Sequence, residues 1–522
     1  MTDDTGTDGT AADGPPAAAS SPREPSLLDA LIPLITLIGL IALTIGLFGT
    51  DATSGPLQVA LLTSAVVAGL VAFKNGFAVA RIREAAIGGV SSGMSALFIL
   101  LAVGALIGTW NMAGTIPTVV YYGLGLLSAT WFYPATAIVC GLVGLAIGSS
   151  WTTAATLGVA FVALAPLVGA DPAIAAGAVI SGAYFGDKMT PVSETTVLVP
   201  SMVGGVTTNQ HIGAMIWTSG PAVVIAIVLF TILGLTTPAT GAGFDPAAAQ
   251  ATLAGEFSIS LLNLLPMVLL IIFSIRRVPP FLAIFSCALF AGALASFTQP
   301  ELVAEFVGTP GQRPLLTGIE ATYAAMATGF VSATGNETID ALFSRGGMSG
   351  MLTTIWLILG ALSYAAIMEE AGFLDRLIRP IVARAKSTGR LIAAVIGTCI
   401  GLNIIAGDQY VAIVMPSRVY RAEFARRGIA PRMLSRAVED SGTVTSPLVP
   451  WNSCGAYMAA ALGVPTLAYL PFAFFNLASP LISLLYGFTG FRIERVQPTG
   501  EPPASSPNIG STESQHLEGD PA

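Results

Sequence analysis

Residues Gly186-Asp-Lys-Met-Thr-Pro-Val-Ser-Glu-Thr-Thr196 bring Asp187, Lys188 and Glu194 together with the hydroxyls of Thr190, Ser193, Thr195 and Thr196, between long apolar runs. Ionisable side chains at membrane depth mark ion or proton pathways. Pro191 donates no backbone hydrogen bond and turns Thr190 away from helical geometry, which frees carbonyls one turn earlier. Within a bilayer such backbone survives only when buried in protein or lining a water-filled cavity. Freed carbonyls, hydroxyls and a carboxylate are hard oxygen ligands, suited to a small hard cation such as Na⁺. A desolvated carboxyl can hold a proton or a cation at the same oxygens, one at a time, and that competition suffices for coupled exchange.

Three further segments break the apolar pattern. Gly148-Ser-Ser-Trp-Thr-Thr-Ala-Ala-Thr156 supplies hydroxyls, among them Ser150 and Thr153. Asn403-Ile-Ile-Ala-Gly-Asp-Gln-Tyr410 supplies Asn403, Asp408 and Gln409. The third runs from Glu439 to Asn452 and combines Glu439, Asp440, Thr443, Thr445 and Asn452 with Pro447 and Pro450. The segment at 148–156 precedes that at 186–196 by a gap similar to the one between 403–410 and 439–452. Paired interruptions in corresponding places of two halves point to a secondary-transporter binding site. Lys188 can pair with Asp187 or with Asp440; a lone ammonium at the bilayer centre would cost at least about 2.5 kcal/mol. Neither cluster contains the His or Cys that a transition metal would select, and Cys140, Cys287, Cys399 and Cys454 read as small buried hydrophobes.

The elements that must position these residues follow from composition. The chain is 53% hydrophobic and 10% charged, against roughly 25% charged for a soluble protein. This predicts an all-α polytopic membrane protein with about 11 to 13 transmembrane segments, some broken or re-entrant. The clearest spans are 27–48, 56–73, 94–110, 133–149, 153–169, 212–235, 258–274, 280–297, 350–368, 391–406 and 465–488; weaker ones lie near 115–131, 172–185, 321–333 and 453–463. Lys and Arg concentrate in a few short connectors, which the positive-inside rule places in the cytoplasm together with both termini. The loops at 236–257 and 299–320 are nearly free of them and are expected outside. The expected organisation is a disordered tail (1–26), a membrane hairpin (27–84), a first repeat (85–235), connecting loops and a hairpin (236–344), a second repeat (345–490) and a second disordered tail (491–522).

Several residues also carry plainer readings. Glu369 and Glu370 read as interface charges, and Asn336, Glu337 and Asp340 as loop or polar-site residues. The basic run from Arg418 to Arg436 suits orientation and lipid headgroups. Trp151 and Trp451 suit packing plugs or interface anchors alike. Two buried aspartates following glycine could suggest an intramembrane aspartyl protease, yet Tyr184-Phe-Gly-Asp187 and Ile405-Ala-Gly-Asp408 lack a Gly-x-Gly-Asp form. A passive channel would need no titratable groups.

Ser181-Gly-Ala-Tyr-Phe-Gly-Asp-Lys-Met-Thr-Pro-Val-Ser-Glu-Thr-Thr196 resembles the signature of the NhaC-type Na⁺/H⁺ antiporters. Gly407-Asp-Gln-Tyr410, the block from Leu434 to Gly455 and the stretch from Leu467 to Asn476 resemble it too, and the likeness spans about residues 27–492. It implies two inverted repeats whose broken helices meet at mid-membrane, and Na⁺/H⁺ exchange in the cell membrane with no enzymatic activity, no cofactor and no nucleic acid. A homodimer is one compatible assembly. By motif it places Asp187, Thr190, Ser193 and Glu194 in one half of an ion and proton site, and Asp408, Glu439, Asp440, Thr443 and Asn452 in the other. Asp187 and Asp440 are the Na⁺ carboxylates, with Lys188, Glu439, Asn403, Ser150 and Thr153 as secondary candidates. The family commonly has Ser, Asp and Asn where this chain has Thr190, Glu194 and Val197. It also includes malate/lactate exchangers, which set the alternative: Na⁺/H⁺-coupled antiport of an organic acid.

Overall fold

The computed structural model describes residues 22–126, 128–236, 246–308, 314–333, 335 and 337–496. The expectations for 1–21, Asn336 and 497–522 lie outside these residues. Among the described residues the fold is all-helical, and its only bridge is the isolated antiparallel contact between Ile429 and Arg495. Among the described residues nine helices are long and apolar enough to cross a membrane, or up to eleven if each of two sharply bent pairs counts as one span. The shorter apolar helix Phe474–Thr489 packs beside them.

Several boundaries differ from the sequence reading. The span expected at 94–110 belongs to the 34-residue helix Val79–Met112, which carries Arg81 and Arg83 on its first turns. Helical propensity continues through these basic residues because long cationic side chains can reach out of the apolar layer. The span expected at 465–488 is not one helix. Its first part turns by 90° from Ser453–Leu462 into Thr466–Phe472, and Phe474–Thr489 follows. Pro465, Pro471 and the non-helical Ala473 separate the pieces. The loops expected at 236–257 and 299–320 contain the helices Pro246–Glu256 and Pro300–Phe306.

Antiparallel neighbours are pinned at their charged ends. Asp29 at the start of Leu27–Phe48 accepts from Lys74 at the end of Pro56–Lys74, at 2.9 Å. Arg81 pairs with Glu370 at the end of Leu352–Glu370, where both side chains stay partly exposed. Glycine sets the closest helix approach. A Cβ on Gly182 or Gly186 of Pro172–Lys188 would overlap the carbonyls of Ala137 and Gly141 on Ala129–Ile147. Backbones that close gain dispersion contacts that lipid cannot offer.

Each half then contains two helix breaks. In the first, Ala129–Ile147 stops at Gly148, whose φ is 74°, and a new helix starts at Ser150. Pro172–Lys188 stops before the turn around Pro191 and restarts at Glu194. In the second half, Thr388–Ile405 stops before Gly407, whose φ is 60°, and Gln409–Arg426 begins. Pro431–Val438 loosens into a π-helical turn over Glu439–Thr443, then breaks before Ser453–Leu462. Left-handed geometry at positions 148 and 407 is accessible to glycine without a Cβ clash.

Candidate ion-binding site

Asp187 ends one helix and caps another. Its Oδ2 accepts the Ser150 backbone N–H at 3.0 Å, at the N-terminus of the helix that follows Gly148. Asp408 does the same for its own helix, accepting the Val411 N–H at 3.0 Å. Unsatisfied amides and the helix dipole make such termini favourable for a negative charge. Both aspartates thus sit at helix N-termini, Asp187 across a break and Asp408 at its own, and both are 8–9% exposed.

Lys188 turns away from its neighbour Asp187. Its ammonium pairs with Asp440 from the second half, and both side chains are fully buried. Lys188 also donates to Ser479 Oγ at 3.1 Å, and the Thr218 hydroxyl donates to Asp440 Oδ1 at 2.9 Å. Asp440 Oδ2 has no hydrogen-bond partner. The pair joins the break after Lys188 to the π turn at 439–443, so the two interrupted segments meet inside the bundle. The plain pairing of Asp187 with Lys188 is not what forms.

Beside Asp440, Glu439 is also fully buried, and neither of its oxygens has a hydrogen-bond partner. His211 Nε2 lies 3.9 Å from Glu439 Oε2, while His211 Nδ1 is held by Ser435 Oγ at 2.5 Å. Thr195 and Thr443 lie beside the same carboxylate; Thr443 Oγ1 is likewise unpartnered, while Thr195 Oγ1 is 3.2 Å from Ser193 Oγ.

The remaining candidates divide by what their polar atoms already do. Asn452 donates to the carbonyl and side-chain oxygens of Asn403 at 3.2 and 3.1 Å, and its Oδ1 accepts the Cys454 N–H. Asn403 in turn donates to Gly442 O at 2.7 Å and Thr445 Oγ1 at 3.0 Å. These amides clamp the two second-half breaks together. Thr153 gives its hydroxyl to Ser149 O at 2.9 Å. Thr190 and Ser193 are buried in the first-half turn. Glu194 is exposed and faces Tyr410, so it stands apart from the buried carboxylates. The tryptophans are packing elements: Trp151 stacks on Tyr457 with centroids 4.0 Å apart, and Trp451 donates to Ile404 O at 2.6 Å.

His211, Thr218 and Ser479 reach the centre from helices whose sequences gave no cluster to notice. A faint signal exists in Asn476, Ser479 and Ser483, spaced along one face of an otherwise apolar helix, all fully buried.

A polytopic helical bundle with broken helices and a buried, charge-paired polar centre defines the class of ion-transporter-type membrane proteins. The profile of the Na⁺/H⁺ antiporter family matches residues 182–491, which contain both halves of this centre. The chain is 36% identical over 416 residues to the Na⁺/H⁺ antiporter NhaC of Alkalihalophilus pseudofirmus, covering 80% of this chain and 86% of that protein. It is 33% identical to the malate-2H⁺/Na⁺-lactate antiporter of Bacillus subtilis, covering 83% and 90%. It is also 33% identical to the arginine/ornithine antiporter ArcD of Halobacterium salinarum, covering 93% and 96%. The chain belongs to the Na⁺/H⁺ antiporter family.

Proposed function

We propose that this protein exchanges Na⁺ for H⁺ across the cytoplasmic membrane, its central carboxylates taking cation and proton in turn. The observation that carries this reading is the fully buried Lys188–Asp440 pair, formed between the two broken segments of a chain that belongs to an antiporter family. The two opposite charges neutralise each other, so a cation that enters this low-dielectric site must compete for a carboxylate or displace a proton. Asp187 and Asp408, each held at a helix N-terminus, supply negative potential at the breaks. Residues 85–235 and 345–490 act as two inverted repeats that rock against each other, with both termini on the cytoplasmic side.

The second reading, organic-acid-coupled exchange, is favoured by the identity to the malate-2H⁺/Na⁺-lactate antiporter. One experiment separates them. Inside-out vesicles carrying a proton gradient receive Na⁺, then Li⁺, then K⁺, each with and without malate, lactate or arginine plus ornithine, while internal pH is followed. A response to Na⁺ alone is expected. Dependence on an organic solute selects the second reading, and no response to any cation counts against both.

A further inference from the structure

Glu439 is the one carboxylate of the central group with no partner for either oxygen. Asp187 and Asp408 each accept a backbone amide, and Asp440 is neutralised by Lys188. Thr443, Thr195 and His211 Nε2 lie beside Glu439, and the Asp187 carboxylate is near enough to act on it. Thr443 Oγ1 and His211 Nε2 are themselves unpartnered and buried. Lys188 lies near but is taken up by Asp440 and Ser479. Arg436, one turn earlier, instead donates to Arg492 O at 3.3 Å. An ionised carboxylate left so would cost several kcal/mol, so the site calls for a positive ligand.

We propose that Glu439, Thr443 and Thr195 form the seat of the dehydrated Na⁺, within the Na⁺/H⁺ exchange reading on which this assignment rests. The set is all oxygen, as a hard cation requires. It is drawn from both halves: Thr195 from the helix that restarts after Pro191, Glu439 and Thr443 from the π turn. Single π turns inside α-helices recur at functional sites. Na⁺ on Glu439 and Lys188 on Asp440 make two adjacent neutral pairs, so the bound ion adds no uncompensated charge there. A rocking motion that separates the halves takes Thr195 from the other two ligands, which releases the ion.

The test combines transport and binding. In proteoliposomes, Thr443→Val and Thr195→Val are each expected to raise KM for Na⁺ about tenfold or more with kcat nearly unchanged, as loss of one ligand to a charged group implies. Thr443→Ser, which keeps the hydroxyl, is expected to restore KM. A wild type that exchanges Na⁺ for H⁺ while both valine variants keep their KM overturns the seat and leaves the exchange reading standing. Na⁺-dependent thermal stabilisation in detergent, measured against choline, reads the seat without transport. Stabilisation of the wild type that disappears in Glu439→Gln and Thr443→Val supports it; stabilisation that persists in both, or is absent from the wild type, overturns it.

Discussion

The Lys188–Asp440 pair makes the most quantitative claim on the structure. Both side chains are fully buried, and the hydroxyls of Thr218 and Ser479 complete the arrangement. Removing one member of a buried pair strands the other charge, which costs about 3–5 kcal/mol. Lys188→Met and Asp440→Asn should each lose that much. The double variant carries no stranded charge, and the Thr218 and Ser479 hydroxyls can bond the neutral amide that replaces the Asp440 carboxylate. It should therefore regain at least about 2 kcal/mol relative to the sum of the single changes. Unfolding in mixed micelles titrated with SDS, read by tryptophan fluorescence, gives the four corners of the cycle. The double variant, though stable, should show no Na⁺-driven proton movement, because the carboxylate is gone. Single variants within about 0.5 kcal/mol of wild type, the range of neutral surface changes, would refute the buried pair. Exchange that survives in the double variant would remove Asp440 from the transport cycle.

Two further outcomes follow from the geometry. Asp187→Asn keeps an oxygen to accept the Ser150 N–H, so the protein should remain folded in the membrane while exchange is abolished. Monodisperse elution with full Na⁺-driven pH change would sink that assignment. Gly186→Val pushes a side chain into the Gly141 carbonyl and the Leu145 amide. It should destabilise the crossing of Pro172–Lys188 over Ala129–Ile147 by about 1–3 kcal/mol, seen as a lower melting temperature and reduced yield; unchanged melting would show that the helices can part at little cost.

Much of the architecture was legible because lipid imposes a simple rule. Apolar runs of spanning length recur, so helices at 27–48, 56–73, 280–297 and 391–406 could be placed within a few residues of Leu27–Phe48, Pro56–Lys74, Pro280–Thr298 and Thr388–Ile405. Polar residues inside such runs are costly, so the four interruptions stood out from the surrounding chain. Extents failed where one-dimensional hydropathy is blind. The helix Val79–Met112 runs past its apolar stretch, and the stretch near 465–488 is bent by 90° where it begins, a turn fixed by prolines and packing rather than by polarity.

Composition and local backbone chemistry were enough to establish the class and that carboxylates at 187, 408, 439 and 440 lie beside helix breaks; the family resemblance came from the motifs around them. How those carboxylates divide among partners is a matter of packing. Adjacent residues in a helix point about 100° apart, so Asp187 caps Ser150 while Lys188 crosses to Asp440. The neighbours Glu439 and Asp440 likewise face different surroundings, His211 at 3.9 Å for one and Lys188 with Thr218 for the other. Whether a buried charge is paired or open depends on which helix lies opposite. That is fixed by contact between segments far apart in the chain, as the 252-residue separation of Lys188 and Asp440 illustrates.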